Sequence, residues 1–250
     1  MATKVRFPSS TGEMLAGLVD EPQGTVRGWG VFSHGFTLGK DSPAAARICK
    51  QLAAEGIGML RFDAIGLGDS EGDWGSGSFT HKVDDIVEAW DFMTGRGTRP
   101  QLLVGHSFGG SAVLAAAHRT SAVAVATVGA PFDPANVDKQ YDAIIDRVMQ
   151  DGEAEWLVGG KALTVRRHFV EVVRAYDLQR DIASLARPLL VMHSPTDETV
   201  GIRNAGQIFR SAHHPRSYVD LEGTDHLMTA KGQAARAGRI ISAWADQYLV

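Results

Sequence analysis

A serine, an aspartate and a histidine set the terms on which this sequence can be read. Ser107 lies in QLLVGHSFGG, from Gln101 to Gly110, at the centre of Gly105-His106-Ser107-Phe108-Gly109. Leu102-Leu103-Val104 reads as a short buried strand, and Ser111 to His118 as a helix of small residues. A serine on a sharp strand-to-helix turn has strained backbone angles, and glycines two before and two after leave room where strand and helix nearly collide. Such a turn pushes the hydroxyl out of the fold, beside a helix N-terminus that favours developing negative charge. The hydroxyl is still a poor nucleophile unless a base takes its proton, and the base needs an acid to orient it.

Those partners should follow later strands. In PLLVMHSPTDETVG, Asp197 comes directly after an apolar strand, Pro188 to His193; in SYVDLEGTDHLM, His226 follows another, Ser217 to Leu221. The order serine, acid, histidine suits a parallel sheet bearing this turn, and the separations, 197 − 107 = 90 and 226 − 197 = 29, leave room for the intervening elements. All three candidates then stand at carboxyl ends of strands, where one cleft can collect them. Glu198 is the rival acid, but a neighbour in a turn points elsewhere. Asp225 reads as a loop or cap residue, His193 as a structural strand residue, and His213 with His214 as an exposed pair before Pro215. His34 and His106 flank the site inside glycine turns, which suggests local hydrogen bonds. The oxyanion formed by attack on an acyl carbon needs two N–H donors. Phe108, after the nucleophile, is one, and Phe36, after His34-Gly35, is the other.

The elements that must hold these residues alternate. Lys4 to Phe7 and Met14 to Asp20 read as an edge hairpin, and Trp29 to Ser33 as a third strand. A helix from Pro43 to Glu55 follows, capped by Asp41 or Ser42 and closed by Gly56. Ile57 to Phe62 is a strand; Lys82 to Thr94 is a helix with Val83, Ile86, Val87 and Trp90 on one face. Ala122 to Val128 is another strand, and single strands alternating with single helices imply a mostly parallel sheet of about eight strands flanked by helices. That rhythm breaks after Ala130 and resumes after Arg187. Within residues 131–187, Tyr141, Ile144, Ile145, Val148 and Met149 mark a helix. Glu153 to Val158 and Lys161 to Val165 flank Gly159-Gly160 as a hairpin, and Phe169, Val172, Val173 and Tyr176 mark a second helix. An insertion there stands over strand ends and is expected to be a lid. A helix from Gly201 to Ser211 and a last one from Lys231 to Tyr248 complete a single domain.

The bulk composition narrows the partners. Net charge is −4, and no helix carries a basic stripe, which argues against nucleic acid. Hydrophobic residues make up 44% and charged residues 22%, the balance of a globular domain, and the 28 glycines suit many tight strand–helix junctions. The single cysteine, Cys49, permits no internal disulfide and sits at core spacing with Ala45, Ile48 and Leu52. MATKVRFPSS has no apolar run, and no stretch approaches membrane-spanning length, so a cytoplasmic protein is expected. The oligomeric state is left open, a homodimer included.

In order, SHGF, RFDAIGLGDSEG, GHSFGG, SPTDETVG and GTDHLM resemble the α/β-hydrolase superfamily over essentially the full length. HGFTLGKDSPAAARI, GAPFDPANV and DETVGIRNA are similar to the hydrolase half of bacterial fusions to an osmotically-inducible-protein-C-like domain, read here without that second domain. The insertion looks like that of cinnamoyl and feruloyl esterases. The resemblance implies a serine esterase acting on a small-molecule ester of short acyl or aromatic type through Ser107, His226 and Asp197, with no metal or organic cofactor. Phe132, Trp156, Val200 and Leu227 are candidates for apolar cleft surface. An acyltransferase or thioesterase would use the same residues, whereas haloalkane dehalogenases and epoxide hydrolases need a carboxylate where Ser107 stands. A ligand-binding module would usually lack one of the three residues.

Overall fold

The computed structural model describes residues 2–249. β1 (Ala2–Pro8) and β2 (Met14–Asp20) form the expected antiparallel hairpin. They lead into β3 (Gly28–Ser33), α1 (Pro43–Ala54), β4 (Ile57–Phe62), α2 (Phe79–Gly95), β5 (Pro100–His106), α3 (Phe108–Ala116) and β6 (Ala124–Val128). Beyond residue 187 come β9 (Leu189–His193), α7 (Arg203–Ser211), β10 (Arg216–Asp220) and α8 (Gln233–Ala245). The sheet has eight strands in the order β1-β2-β4-β3-β5-β6-β9-β10; pairs from β4 to β10 are parallel and the two involving β2 antiparallel.

Period-two alternation builds two cores. On β5, Leu103 faces one way while Leu102 and Val104 face the other; on β9, Leu189 and Val191 oppose Leu190 and Met192. The Leu102 face packs on α1 and α8, through Ile48, Cys49, Leu52, Ala237 and Ile241. The opposite face packs on α2 and α3, through Val83, Ile86, Trp90, Val113 and Leu114. Strands buried on both faces read as continuous apolar runs, which is why they were visible in the sequence. Cys49 is a core thiol, and burial pushes its pKa up.

Between β6 and β9 lie α4 (Asp142–Asp151), β7 (Glu153–Val158), β8 (Lys161–Arg166), α5 (Arg167–Ala175) and α6 (Leu178–Ala183). β7 and β8 form a separate two-stranded sheet whose turn, Gly159-Gly160, has φ of 56° and 78°, the left-handed geometry that glycine supplies. Tyr141, Trp156 and Phe169 of this segment pack on the ring of Phe36, with centroids 6.0, 5.9 and 5.6 Å away.

Three expectations need correction. α6 has no counterpart in the sequence reading, because at six residues it is too short to show a helical period. The last helix stops at Ala245 rather than Tyr248, and the Tyr248 N–H bonds the Ala245 carbonyl only three residues back, a tighter turn than the α-helix. Ser42 is the residue preceding α1 but makes no side-chain cap, and the Asp41 carboxylate instead takes a bond from Arg61 at 2.9 Å.

Candidate active site

Ser107 sits between β5 and α3 with φ 53° and ψ −128°, a conformation an L-residue adopts only under constraint. The constraint is steric. A Cβ on Gly105 would lie 2.3 Å from the Gly109 carbonyl oxygen, and one on Gly109 would lie 2.2 Å from that of Ser33. A Cβ on Gly110 would meet that of Ala130 at 2.6 Å. The glycines thus let α3 start hard against the ends of β3 and β5. Positive φ at non-glycine residues occurs at Thr37 (52°), Ser107 (53°), Ala186 (48°) and Met228 (55°) among the described residues. Three of those four positions lie in the loops that converge here.

Ser107 Oγ lies 2.9 Å from His226 Nε2, and His226 Nδ1 lies 2.7 Å from Asp197 Oδ2. With the Nδ1 proton donated to the carboxylate, Nε2 is free to accept the serine proton. The other carboxylate oxygen, Oδ1, accepts the N–H groups of Thr199 and Val200 at 2.9 and 2.8 Å. Burial alone would raise the Asp197 carboxyl, but the His226 bond and the Val200 N–H outweigh it and hold the pKa below its ordinary value. Glu198 is exposed and has no part in this chain of bonds. Asp225 accepts from the N–H groups of Leu227 and Thr229, the loop role expected of it.

Phe36 and Phe108 pack edge to face, with centroids 5.5 Å apart. Among the hydrogen bonds of the described residues, neither N–H has an acceptor within the protein. A Cβ on Gly35 would lie 3.1 Å from the Ser107 Cβ, so the loop after β3 passes directly against the serine. Two buried ion pairs brace that loop. Lys40 Nζ donates to Asp63 Oδ2 at 2.7 Å, and Arg61 Nε to Asp20 Oδ2 at 2.6 Å. Asp63 Oδ1 also accepts the Lys40 N–H. These braces were not legible in the sequence, since their members are spread across β2, β4 and two loops.

His106 departs from expectation. Its Nε2–H donates not locally but to the main-chain carbonyl of His226, 2.8 Å away, and so ties β5 to the loop that carries His226. His34 does bond locally, through Nδ1 to the Gly35 carbonyl, while its Nε2 accepts the Ala64 N–H. His193 Nε2 donates to the Val200 carbonyl at 2.7 Å and supports the acid's turn. Burial pushes His106 down from 6.5 to about 4, and His34 well below its usual range. The unfolded chain takes up the His106 proton near pH 6.5, whereas the native state resists until about pH 4, and burial shifts His34 in the same direction. Native stability should therefore fall as pH drops through that window, by roughly 1.4 kcal/mol per pH unit for His106, with His34 acting in the same direction. Asp85, whose carboxyl is raised by burial, opposes this with one group. Calorimetry should show Tm dropping steadily below pH 6.5; a flat Tm down to about pH 4.5 would contradict the assignment of these buried neutral histidines.

The four residues chosen for cleft surface fare differently. Val200 is 1% exposed; its side chain is core, and its N–H holds Asp197. Phe132 is half-buried with its N–H on Asn204 Oδ1, and Trp156 stacks on the Phe36 ring. Leu227 is 43% exposed and borders an open groove beside His226, together with Glu198 and Thr199. The cavity next to the oxyanion loop is lined instead by Phe36, Trp74, Phe108, Phe169, Lys82 and Asp85, among others. Part of that lining comes from α2, through His81, Lys82 and Asp85, and from α5, through Phe169.

A family model described as serine aminopeptidase, S33, matches residues 24–177. The chain belongs to that family. The S33 chain is 35% identical to the crystal structure of the esterase domain of a Rhodothermus marinus protein, covering 99% of both chains with a TM-score of 0.78. It shares its fold, at 17% identity and a TM-score of 0.79 over 98% of both chains, with Est1E of Butyrivibrio proteoclasticus bound to ferulic acid. Among curated proteins it is 25% identical over 76% of its length to the mitochondrial palmitoyl-protein thioesterase ABHD10 of Rattus norvegicus. It spans 61% to 65% of the length of the curated relatives it matches. The fold is that of the α/β-hydrolases. No helix among the described residues is long and apolar enough to cross a membrane, and no cluster of three or more His, Cys, Asp or Glu residues among them could hold a metal ion.

Proposed function

We propose that this S33-family chain is a serine esterase that hydrolyses carboxylic esters of small acyl or aromatic type through a covalent acyl-enzyme. The observation that carries this reading is the unbroken chain of bonds from Ser107 Oγ through His226 to Asp197, at a serine held in strained geometry. In the reaction, Ser107 Oγ attacks the ester carbon as its proton passes to His226 Nε2. Negative charge gathers on the former carbonyl oxygen, where the N–H groups of Phe36 and Phe108 receive it; removing one such donor typically costs about a hundredfold or more. The imidazolium, stabilised by Asp197, gives its proton to the leaving alkoxide, which departs as an alcohol. Water then attacks the acyl-enzyme with the same base, releasing the acid and restoring the Ser107 proton. The segment of residues 131–187 acts as a lid on the single domain, because its aromatic residues rest on Phe36.

A second reading, thioester hydrolysis, draws on the likeness to the palmitoyl-protein thioesterase. A fluorophosphonate should label Ser107 stoichiometrically. A panel of esters, matched thioesters and amino-acid amides, run with and without an added alcohol acceptor, should show esters turned over fastest and free acid as the product. Preferred thioester cleavage would favour the second reading, and acyl transfer to the alcohol would make the chain a transferase. Labelling elsewhere than Ser107 would remove the proposed nucleophile.

A further inference from the structure

The cavity beside the oxyanion loop has a polar end that ester cleavage itself does not use. Around its aromatic walls there is about 430 Å³ of space free of protein atoms, counting the open mouth. Its polar lining is Lys82 and Asp85, only 8% and 2% exposed, with His34, Thr37, Ser78 and His81. The Lys82 ammonium has no hydrogen-bond or ion-pair partner among the described residues. Asp85 Oδ1 accepts the N–H and Oγ–H of Ser10 at 3.1 and 3.2 Å, and Oδ2 carries no bond.

Nothing about stability recommends a lysine at this place. It is the fourth residue of α2, where the positive end of the helix dipole opposes a cation, and burial opposes it again. Burial lowers its pKa to about 8, with Asp85 acting against the fall, so the amine keeps its proton at neutral pH. Neither Lys82 Nζ nor Asp85 Oδ2 is among the fully enclosed unpaired polar atoms, so both open onto the cavity, where a ligand can meet them. The neighbouring carboxylate then determines which ligand fits. A second carboxylate would meet Asp85, an ammonium would meet Lys82, and a methyl group would leave both unpaired. A hydroxyl accepts from Lys82 and donates to Asp85.

The side of the substrate is fixed by proton transfer. The leaving group must take its proton from His226, which borders the outer groove with Leu227 and not this cavity. The acyl group is therefore assigned to this cavity, against the Phe36 and Phe108 side of the site. We infer that Lys82 and Asp85 form a subsite for a hydroxyl at the far end of an otherwise apolar acyl group. This specificity rests on the reading of Ser107 as the nucleophile.

The test uses three esters with one leaving group and acyl chains of about four to eight carbons: ω-hydroxyl-terminated, methyl-terminated of equal length, and the dicarboxylate half-ester. The hydroxyl ester should exceed its methyl twin in kcat/KM by at least about tenfold, with the half-ester poorest. In Lys82→Met that ratio should fall to about one. A wild-type ratio near one, a preference for the half-ester, or an unchanged ratio in the variant overturns the subsite. Fluorophosphonate labelling of Ser107 reports a folded site in each protein; should Lys82→Met fail to label, Lys82→Gln and the wild-type ratio carry the comparison. Labelling without turnover of the hydroxyl ester also overturns the subsite alone. Absence of both labelling and turnover in the wild type overturns the nucleophile reading instead.

Discussion

Ser107→Ala should lower ester turnover by about a million-fold while the protein still folds. Alanine keeps the Cβ and therefore meets the same backbone strain as serine. The variant loses only the Oγ bond to His226, worth about 1 kcal/mol of stability, and so Tm should shift by a few degrees at most. Chemistry has no such reserve, because among the described residues no other hydroxyl bonds to His226 Nε2. Asp197→Asn should cost about ten thousand-fold. An amide that donates to Nδ1 favours the tautomer with its proton on Nε2, which cannot accept from the serine. Exposed Glu198→Gln should stay within a few-fold of wild type. Steady-state rates corrected by active-site titration would check all three. Ser107→Ala within tenfold of wild type, or Glu198→Gln more damaging than Asp197→Asn, would contradict the assignments.

The parts legible in the sequence were those with local signatures. Buried strands announce themselves as apolar runs, and β2 and β4 begin and end where the pattern says. Gly105-His106-Ser107-Phe108-Gly109 declares its own geometry, since no residue larger than glycine fits at its flanks. Asp197 and His226 could be placed by the strands they follow, without knowledge of any contact. What escaped was set by three-dimensional proximity. Val200 looked like pocket surface because valine is apolar, yet its side chain is core and its backbone serves the acid. His106 looked local because it lies in a glycine turn, yet its bond crosses 120 residues to the His226 carbonyl. Lys82 falls on the same helical turn as Val83 and Ile86, and only the folded cavity shows that a charge has been placed at its buried end.

Gly109→Ala is expected to damage both fold and chemistry, and the reason separates it from an ordinary glycine substitution. The new methyl would sit 2.2 Å from the Ser33 carbonyl oxygen and 2.4 Å from that of His34. Both are backbone atoms with no rotamer through which to escape, so α3 must move away from the end of β3. Ser107 precedes that helix and Gly35-Phe36 continues that strand, so one displacement pulls the proposed nucleophile and the proposed oxyanion donor, Phe36, apart. Overpacking against side chains commonly costs 1–3 kcal/mol; against backbone the loss should reach about 3 kcal/mol or more. A misplacement of about 1 Å at the reacting centre costs about a hundredfold in rate, so kcat should fall even in the fraction that folds. Gly95→Ala supplies the contrast. It sits at the end of α2 with nothing within 4 Å of its would-be Cβ and no left-handed φ, and the change should be neutral or stabilise by up to about 1 kcal/mol. Denaturant melts of the two variants, with kcat measured below each transition, separate the effects. A Gly109→Ala protein with wild-type stability and rate would mean that strand and helix do not need this contact to aim Ser107.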